Sequence, residues 1–168
     1  MNKVYLLIGG NMGEILNTLA AARAAIEREI GHITKASALY QTAAWGLADQ
    51  PNFVNQVLLV ETGLSANACL RLMLEIEQKL GRIRKIKNGP RAIDIDLLFF
   101  NRDIIDEPAL QVPHPLLHTR NFTLYPLVEI APEFVHPVLE ESITALLQKS
   151  PDDLPVTRLN DPMTLRQI

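Results

Sequence analysis

Two carboxylates stand one residue apart in the run AIDIDLLFF, residues 92–100. Asp94 and Asp96 alternate with Ile93, Ile95 and Leu97. In a strand, residues i and i+2 share a face, so both carboxylates project together, about 7 Å apart at the backbone. Ile93, Ile95 and Leu97 turn the other way, toward a core. Two carboxylates on one face repel unless a cation lies between them. Mg2+ is the hard, oxygen-seeking candidate, and it commonly takes one or two carboxylates plus substrate phosphates. Just upstream lie six cations, Lys79, Arg82, Arg84, Lys85, Lys87 and Arg91, out of 16 in the whole chain. No acid falls between Gln78 and Ile93. Guanidinium forks holding outer phosphate oxygens, beside a carboxylate pair that holds metal, suit metal-assisted transfer of a nucleotide phosphate. A basic loop or an Asp-x-Asp alone is usually a solvated feature. Their adjacency favours the functional reading.

Other chemistries are excluded. There is no G-x-x-x-x-G-K-[ST], so this is not a P-loop enzyme. Gly9-Gly10-Asn11-Met12-Gly13 does not match G-x-G-x-x-G and reads as a tight turn after a first strand. Cys69 is the only cysteine, so neither an internal disulfide nor a cysteine-rich metal cluster forms. It lies in the apolar pattern ACLRLMLEIEQKL and reads as a small buried hydrophobe. A reducing cytoplasm suits that usage. A zinc site on His114 and His118 is not expected, because no Cys or third His is nearby in sequence. The net charge of −3 confines any polyanion site to a local patch.

These residues need a frame. The 168 residues suffice for one domain, placed at 1–150, with a polar arm at 151–168. Hydrophobic residues at 48% and charged ones at 21% mark an ordinary globular chain. Eleven scattered prolines exclude a coiled coil. No apolar run approaches the roughly 18 residues of a membrane span, and the opening MNKVYLLIGGN reads as a strand rather than a leader.

Periodicity predicts strands at 3–9, 33–41, 53–62 and 92–100, with a short one at 104–105. It predicts helices at 14–30, stopped by Gly31, and at 66–80, capped by Ser65 and ended by Gly81. In 53–62, Phe53, Asn55, Val57 and Leu59 share a face. Residues 42–52 read as a loop. Two short helices are expected at 120–127 and 141–149. The order predicts an α+β sandwich, an antiparallel sheet with two helices on one face. That architecture hosts many functions.

The stretch KNGPRAIDIDLL, residues 87–98, resembles the signature of the 6-hydroxymethyl-7,8-dihydropterin pyrophosphokinases of the folate pathway. The signature is a basic residue, a spacer, Gly-Pro-Arg, two residues, Asp-aliphatic-Asp and two aliphatics. Collinear segments extend the similarity over residues 3–135: IGGN, SALYQTAAWG, DQPNFVN, EIEQKLGRIR, VPHP and RNFTLYPLVEIAPE. The resemblance implies a ferredoxin-like α+β fold. It implies that ATP gives its β,γ-pyrophosphoryl group to the pterin hydroxymethyl oxygen, AMP leaves, and two Mg2+ ions take part.

The same resemblance assigns roles. Asp94 and Asp96 match the metal pair, and Arg82 and Arg91 match catalytic phosphate contacts. Glu77, Arg84, Leu97, His114 and Arg120 complete the ATP side. Thr42, Ala43 and Trp45 match the pterin loop, Asn55 the side chain that reads the ring's edge, and Phe53 and Phe122 the aromatic clamp. On their own, Glu77 reads as a surface acid on a helix, and both phenylalanines read as core. The chain departs from the resembled pattern at Lys87-Asn88, where Arg-Trp is usual and the loop is one residue longer. Ala43, Trp45, Ala109, Gln111 and Pro115 also depart. No metal ligand, Arg82, Arg91 or Asn55 is lost, so an active enzyme with altered kinetics is expected. Its partners are then ATP and a reduced pterin, with no nucleic acid, membrane or obligate protein. Two alternatives stand beside this one: another Mg-dependent nucleotide transferase, and a non-catalytic single-strand RNA-binding domain.

Overall fold

The computed structural model describes residues 1–43, 50–81 and 92–159. The chain runs β1 (Asn2–Gly10), α1 (Ile15–Glu29), β2 (His32–Ala36), β3 (Tyr40–Thr42), β4 (Phe53–Thr62), α2 (Ala66–Lys79) and β5 (Asp94–Phe100). β6 (Ile105–Glu107), β7 (Leu110–Val112), a 3-10 turn at Leu117–Thr119, α3 (Asn121–Ile130), α4 (Ile143–Lys149) and β8 (Val156–Arg158) follow. The main sheet is ordered β5-β1-β4-β3-β8, with β2 also on β4. Every pairing in it is antiparallel. The fold is an α+β sandwich of the ferredoxin-like kind, a mainly antiparallel sheet with helices packed on it.

Alternation sorts the sheet into two faces. Val4, Leu6, Ile8, Leu58, Ile95 and Leu97 pack with α1 and α2 through Leu19, Ile26, Met73 and Ile76. Tyr5, Leu7, Val57, Leu59, Leu98 and Phe99 pack with Leu124 and Leu127 of α3 and Ile143 and Leu146 of α4. The sequence reading put two helices on one face. The structure adds a second pair on the other, because β1 and β4 are apolar on both sides and need two covers. α3 also runs past residue 127 to Ile130 with Pro126 inside it.

Local chemistry explains both ends of α2. Ser65 Oγ accepts from Ala68 N–H at 3.2 Å and caps α2. Gly81, at φ +89°, takes the left-handed conformation that ends it. The strand expected at 33–41 is divided between β2 and β3. Ser37 N–H reaches Val57 O at 2.9 Å. Ser37 Oγ accepts from Val57 N–H at 3.0 Å, and Gln56 Nε2 donates to Ser37 O at 2.7 Å.

β5 carries a bulge. Tyr5 faces Phe99 while Leu6 faces Leu97, so Leu98 is the extra residue. Within the stretch read as an arm, Val156–Arg158 adds a strand beside β3. Cys69 is fully buried, and burial raises its thiol pKa. No helix among the described residues is long and apolar enough to cross a membrane.

Candidate active site

One row across the sheet carries Arg158, Tyr40, Asn55, Gly9 and Asp94 on five neighbouring strands. Asp96 lies two rows further in, level with Leu7 and Val57. Leu7 and Val57 belong to the α3–α4 core. Asp94, Asp96 and Asn55 therefore project on the α3 side. Phe53, two residues before Asn55 and paired with Thr42, shares that face. The sheet thus brings Thr42, Phe53, Asn55, Asp94 and Asp96 onto one face, at the ends where β1 finishes and β4 and β5 begin.

Gly9 makes this row work. A Cβ there would lie 2.9 Å from Asn55 Cγ, 3.0 Å from the Val54 carbonyl oxygen, and closer still to Asn55 Oδ1. Strand β1 runs one residue past its expected end, so the expected turn begins after Gly9 and Gly10. They are paired β1 residues, opposite Asn55 and Val54, and the glycine at 9 is needed for space rather than for a special φ. Just beyond, buried Asn11 donates through Nδ2 to Gln50 Oε1 at 3.0 Å and to Pro51 O at 2.9 Å. That ties the end of β1 to the approach to β4.

Glu77 is only 3% exposed, so it is not the surface acid its sequence suggested. Its Oε2 accepts from Ile95 N–H at 2.7 Å. Ile95 is the residue between the two aspartates, so Glu77 pins the backbone that spaces them. The sequence held a signal for this: Glu77 falls four residues after Met73, on the buried stripe of α2.

The bulge at Leu98 positions a further group. Its carbonyl accepts from His114 N–H at 3.1 Å. His114 Nδ1 accepts from Leu116 N–H at 3.2 Å, which assigns the proton of the neutral ring to Nε2. Burial, then the charge of Arg120, pulls the imidazole pKa down to about 4. At neutral pH His114 is an uncharged donor through Nε2.

Arg120 stands at the N-cap of α3, its guanidinium carbon 5.6 Å from the Phe122 ring centroid. Phe122 packs on the α3–α4 core. Two turns further along the same helix, Glu129 accepts from Tyr40 OH at 2.6 Å and from Ala38 N–H at 3.0 Å. Burial, then that carboxylate, holds the Tyr40 phenol protonated. The C-terminal segment braces the other end of α3. Asp152 Oδ2 accepts from Asn121 N–H at 2.8 Å, and its carbonyl accepts from Asn121 Nδ2 at 3.1 Å. Sequence reasoning missed this contact because nothing local joins residues 121 and 152.

Other sequence-derived positions are placed differently. Leu97 turns its side chain into the α1–α2 core, away from the aspartates. Ala43 is exposed at the end of β3. Trp45, Arg82, Arg84, Arg91 and Lys87-Asn88 lie outside the described residues. Among the described residues no cluster of three His, Cys, Asp or Glu side chains forms. Two carboxylates offering only oxygen suit a hard divalent cation that shares its coordination with substrate phosphates, rather than a cation held wholly by protein.

Comparisons with known proteins identify the family and the fold. A profile of the 7,8-dihydro-6-hydroxymethylpterin-pyrophosphokinase (HPPK) family matches residues 5–132. The chain is 38% identical over 143 residues to the 2-amino-4-hydroxy-6-hydroxymethyldihydropteridine pyrophosphokinase of Aquifex aeolicus, covering 85% of this chain and 89% of that one. It is also 38% identical to the enzyme of that name from Pseudomonas aeruginosa, covering 79% and 83%. A crystal structure of a Plasmodium falciparum HPPK-DHPS triple mutant superposes with a TM-score of 0.74 at 18% identity, over 88% of this chain and 43% of that one. The chain therefore spans less than half of that longer protein, and the likeness there is one of fold. By its sequence over most of its length, the chain belongs to the 7,8-dihydro-6-hydroxymethylpterin-pyrophosphokinase (HPPK) family.

Proposed function

We propose that the sheet face bearing Asn55, Asp94 and Asp96 is where this chain performs its family's reaction. That reaction is pyrophosphoryl transfer from ATP to 6-hydroxymethyl-7,8-dihydropterin in folate biosynthesis, and it makes the chain an ATP-dependent diphosphokinase. The β,γ-pyrophosphoryl group passes to the hydroxymethyl oxygen and AMP leaves. The observation that carries this assignment is the row Asn55–Gly9–Asp94. It sets an amide suited to a pterin edge beside carboxylates suited to a phosphate-bound metal.

Each side chain then has a task. The Asn55 amide offers both a donor and an acceptor to the ring's polar edge. Phe53 and Phe122 clamp the flat ring by offset stacking, with Thr42, Ala43 and Trp45 around it. Asp94 and Asp96 would hold two Mg2+ ions, which neutralise phosphate charge and lower the pKa of the attacked hydroxyl. Glu77 keeps the two carboxylates in register by fixing Ile95. His114 donates its Nε2–H to a phosphate oxygen without adding charge, and Arg82, Arg84, Arg91 and Arg120 supply the charge. Leu97 acts on the ATP side through its backbone. Residues 1–150 form the catalytic unit, and of the segment after it Asp152 braces α3 while Val156–Arg158 lengthens the sheet. A reducing cytoplasm suits the free, buried Cys69.

Product analysis tests the reading. Protein, MgATP and the pterin are mixed, and AMP and the pterin diphosphate are followed by chromatography, with no-pterin and EDTA controls. Pterin-dependent AMP that stops in EDTA supports it. Folded, ATP-binding protein that yields no AMP overturns it.

A further inference from the structure

On the sheet face opposite this site, α1 and β2 flank an open cleft of about 440 Å3. That lies within the range of small-molecule sites, about 300–1,000 Å3. Its lining includes Arg23, which is only 6% exposed. Burial lowers the guanidinium pKa to about 10.

Among the described residues no carboxylate pairs directly with that charge. Nη1 donates to Gln56 Oε1 at 2.8 Å, and Nη2 is buried with no hydrogen-bond partner. Glu27, one turn along α1, also lines the cleft. Its carboxylate is engaged by His32 Nδ1 at 3.0 Å and by Ile33 N–H at 3.2 Å. Gln56 is neutral, and its Nε2 is committed to Ser37 O at 2.7 Å. Buried charges are normally paired and buried polar groups satisfied. Arg23 is neither.

The cleft offers what a ligand would need around that charge. Lys35 brings a second cation from an exposed position on β2, and Ala20, Ala24 and Ile33 present apolar surface between α1 and β2. We propose that this cleft is a second ligand site, for a small organic anion. Its carboxylate or phosphate pairs with Arg23 and Lys35, and its apolar body lies on Ala20, Ala24 and Ile33. The guanidinium fork suits either planar carboxylate or phosphate oxygens. As the side chain stands, Nη2 is closed to solvent. A ligand oxygen reaches it through a rotation of the guanidinium that keeps Nη1 on Gln56.

The test is amide NMR on 15N-labelled protein, titrated with benzoate and separately with inorganic phosphate. Saturable shifts are expected at Ala20, Ala24, Thr34 and Lys35, and they persist when Asp96→Ala disables the metal pair on the other face. A response to benzoate alone assigns a carboxylate ligand, and a response to phosphate alone assigns a phosphate ligand; either supports the site. Arg23→Gln is expected to abolish the shifts. Because Arg23 is buried, two variants at exposed positions keep the test decisive. Lys35→Glu reverses the second charge and Ala24→Trp fills the cleft. Each is expected to weaken binding at least tenfold and to leave pyrophosphoryl transfer unchanged. Absence of saturable shifts with both probes, or shifts that survive both exposed-site variants, overturns the proposal.

Discussion

The side-chain oxygen of Asn55 occupies the space that a Cβ on Gly9 would fill. Gly9 pairs with Asn55 on one side and with Asp94 on the other, so this bare backbone separates the two halves of the site. Gly9→Ala is expected to push the Asn55 amide aside. Overpacking of this kind costs about 1–3 kcal/mol, to be read by urea denaturation. The KM for the pterin should rise more than kcat falls. An unchanged KM in a destabilised Gly9→Ala protein would mean that Asn55 does not touch the ring.

Glu77 is the second lever. Glu77→Ala leaves the Ile95 N–H without its acceptor inside the protein. An unsatisfied buried donor costs about 1–3 kcal/mol. Because Ile95 lies between Asp94 and Asp96, turnover should fall along with stability, and the Mg2+ concentration for half-maximal rate should rise. Glu77→Gln keeps an acceptor oxygen and should recover most of both losses. A Glu77→Gln protein as impaired as Glu77→Ala would show that the charge itself matters.

Asp96→Asn removes a carboxylate charge with little change in volume. Turnover should drop by at least about 100-fold, on the scale of losing one electrostatic transition-state contact. The circular dichroism melt should stay close to wild type. Full activity in this variant would remove Asp96 from the metal pair.

Two histidines give stability a pH dependence. His114 and His136 are both pulled from 6.5 to about 4, chiefly by burial, with Arg120 and His118 respectively as second causes. Above pH 6.5 each is neutral in both the folded and the unfolded chain. Between pH 6.5 and 4 the unfolded chain takes up protons that the folded chain refuses, so stability falls as pH falls through that window and this contribution levels off below it. The Tm should decline accordingly. His136→Asn, which retains an acceptor near the Val138 and Leu139 N–H groups that His136 Nδ1 now serves, should flatten the decline. A His136→Asn protein with the same Tm–pH slope as wild type would contradict the assignment.

Asp152 links the C-terminal segment to the site. Asp152→Ala frees the first turn of α3, which carries Phe122. Loss of such a helix-end contact costs about 0.5–2 kcal/mol. Thermal denaturation should show that loss, and pterin affinity should weaken because Phe122 is no longer held. Unchanged pterin binding alongside lowered stability would confine Asp152 to a structural role.

The Asp-Ile-Asp run was legible from its residues because strand alternation is local: a period of two assigns faces without knowledge of neighbours. The bounds 53–62 matched β4 for the same reason, and Ser65 and Gly81 marked the limits of α2 through interactions within a few residues. The alternation that aimed Asp94 and Asp96 together also sent Ile95 and Leu97 into the core. Ser37 was harder. Its partners Gln56 and Val57 lie on another strand, so the division between β2 and β3 left no local mark. Pro126 inside α3 concealed how far that helix extends.

By itself, the sequence determined the order of β1, α1, β4, α2 and β5, the family, and which side chains could carry the chemistry. These are recorded in residue identity and short-range period. Only the tertiary structure decided that Gly9 serves Asn55, that Glu77 holds Ile95, that the Leu98 bulge anchors His114, and that Asp152 braces α3. It also decided that Arg23 is buried with no directly paired carboxylate among the described residues. Each of these depends on groups far apart in the chain meeting in a closely packed interior. There, a Cβ, a hydrogen-bond acceptor or a charge has consequences that no neighbouring residue announces.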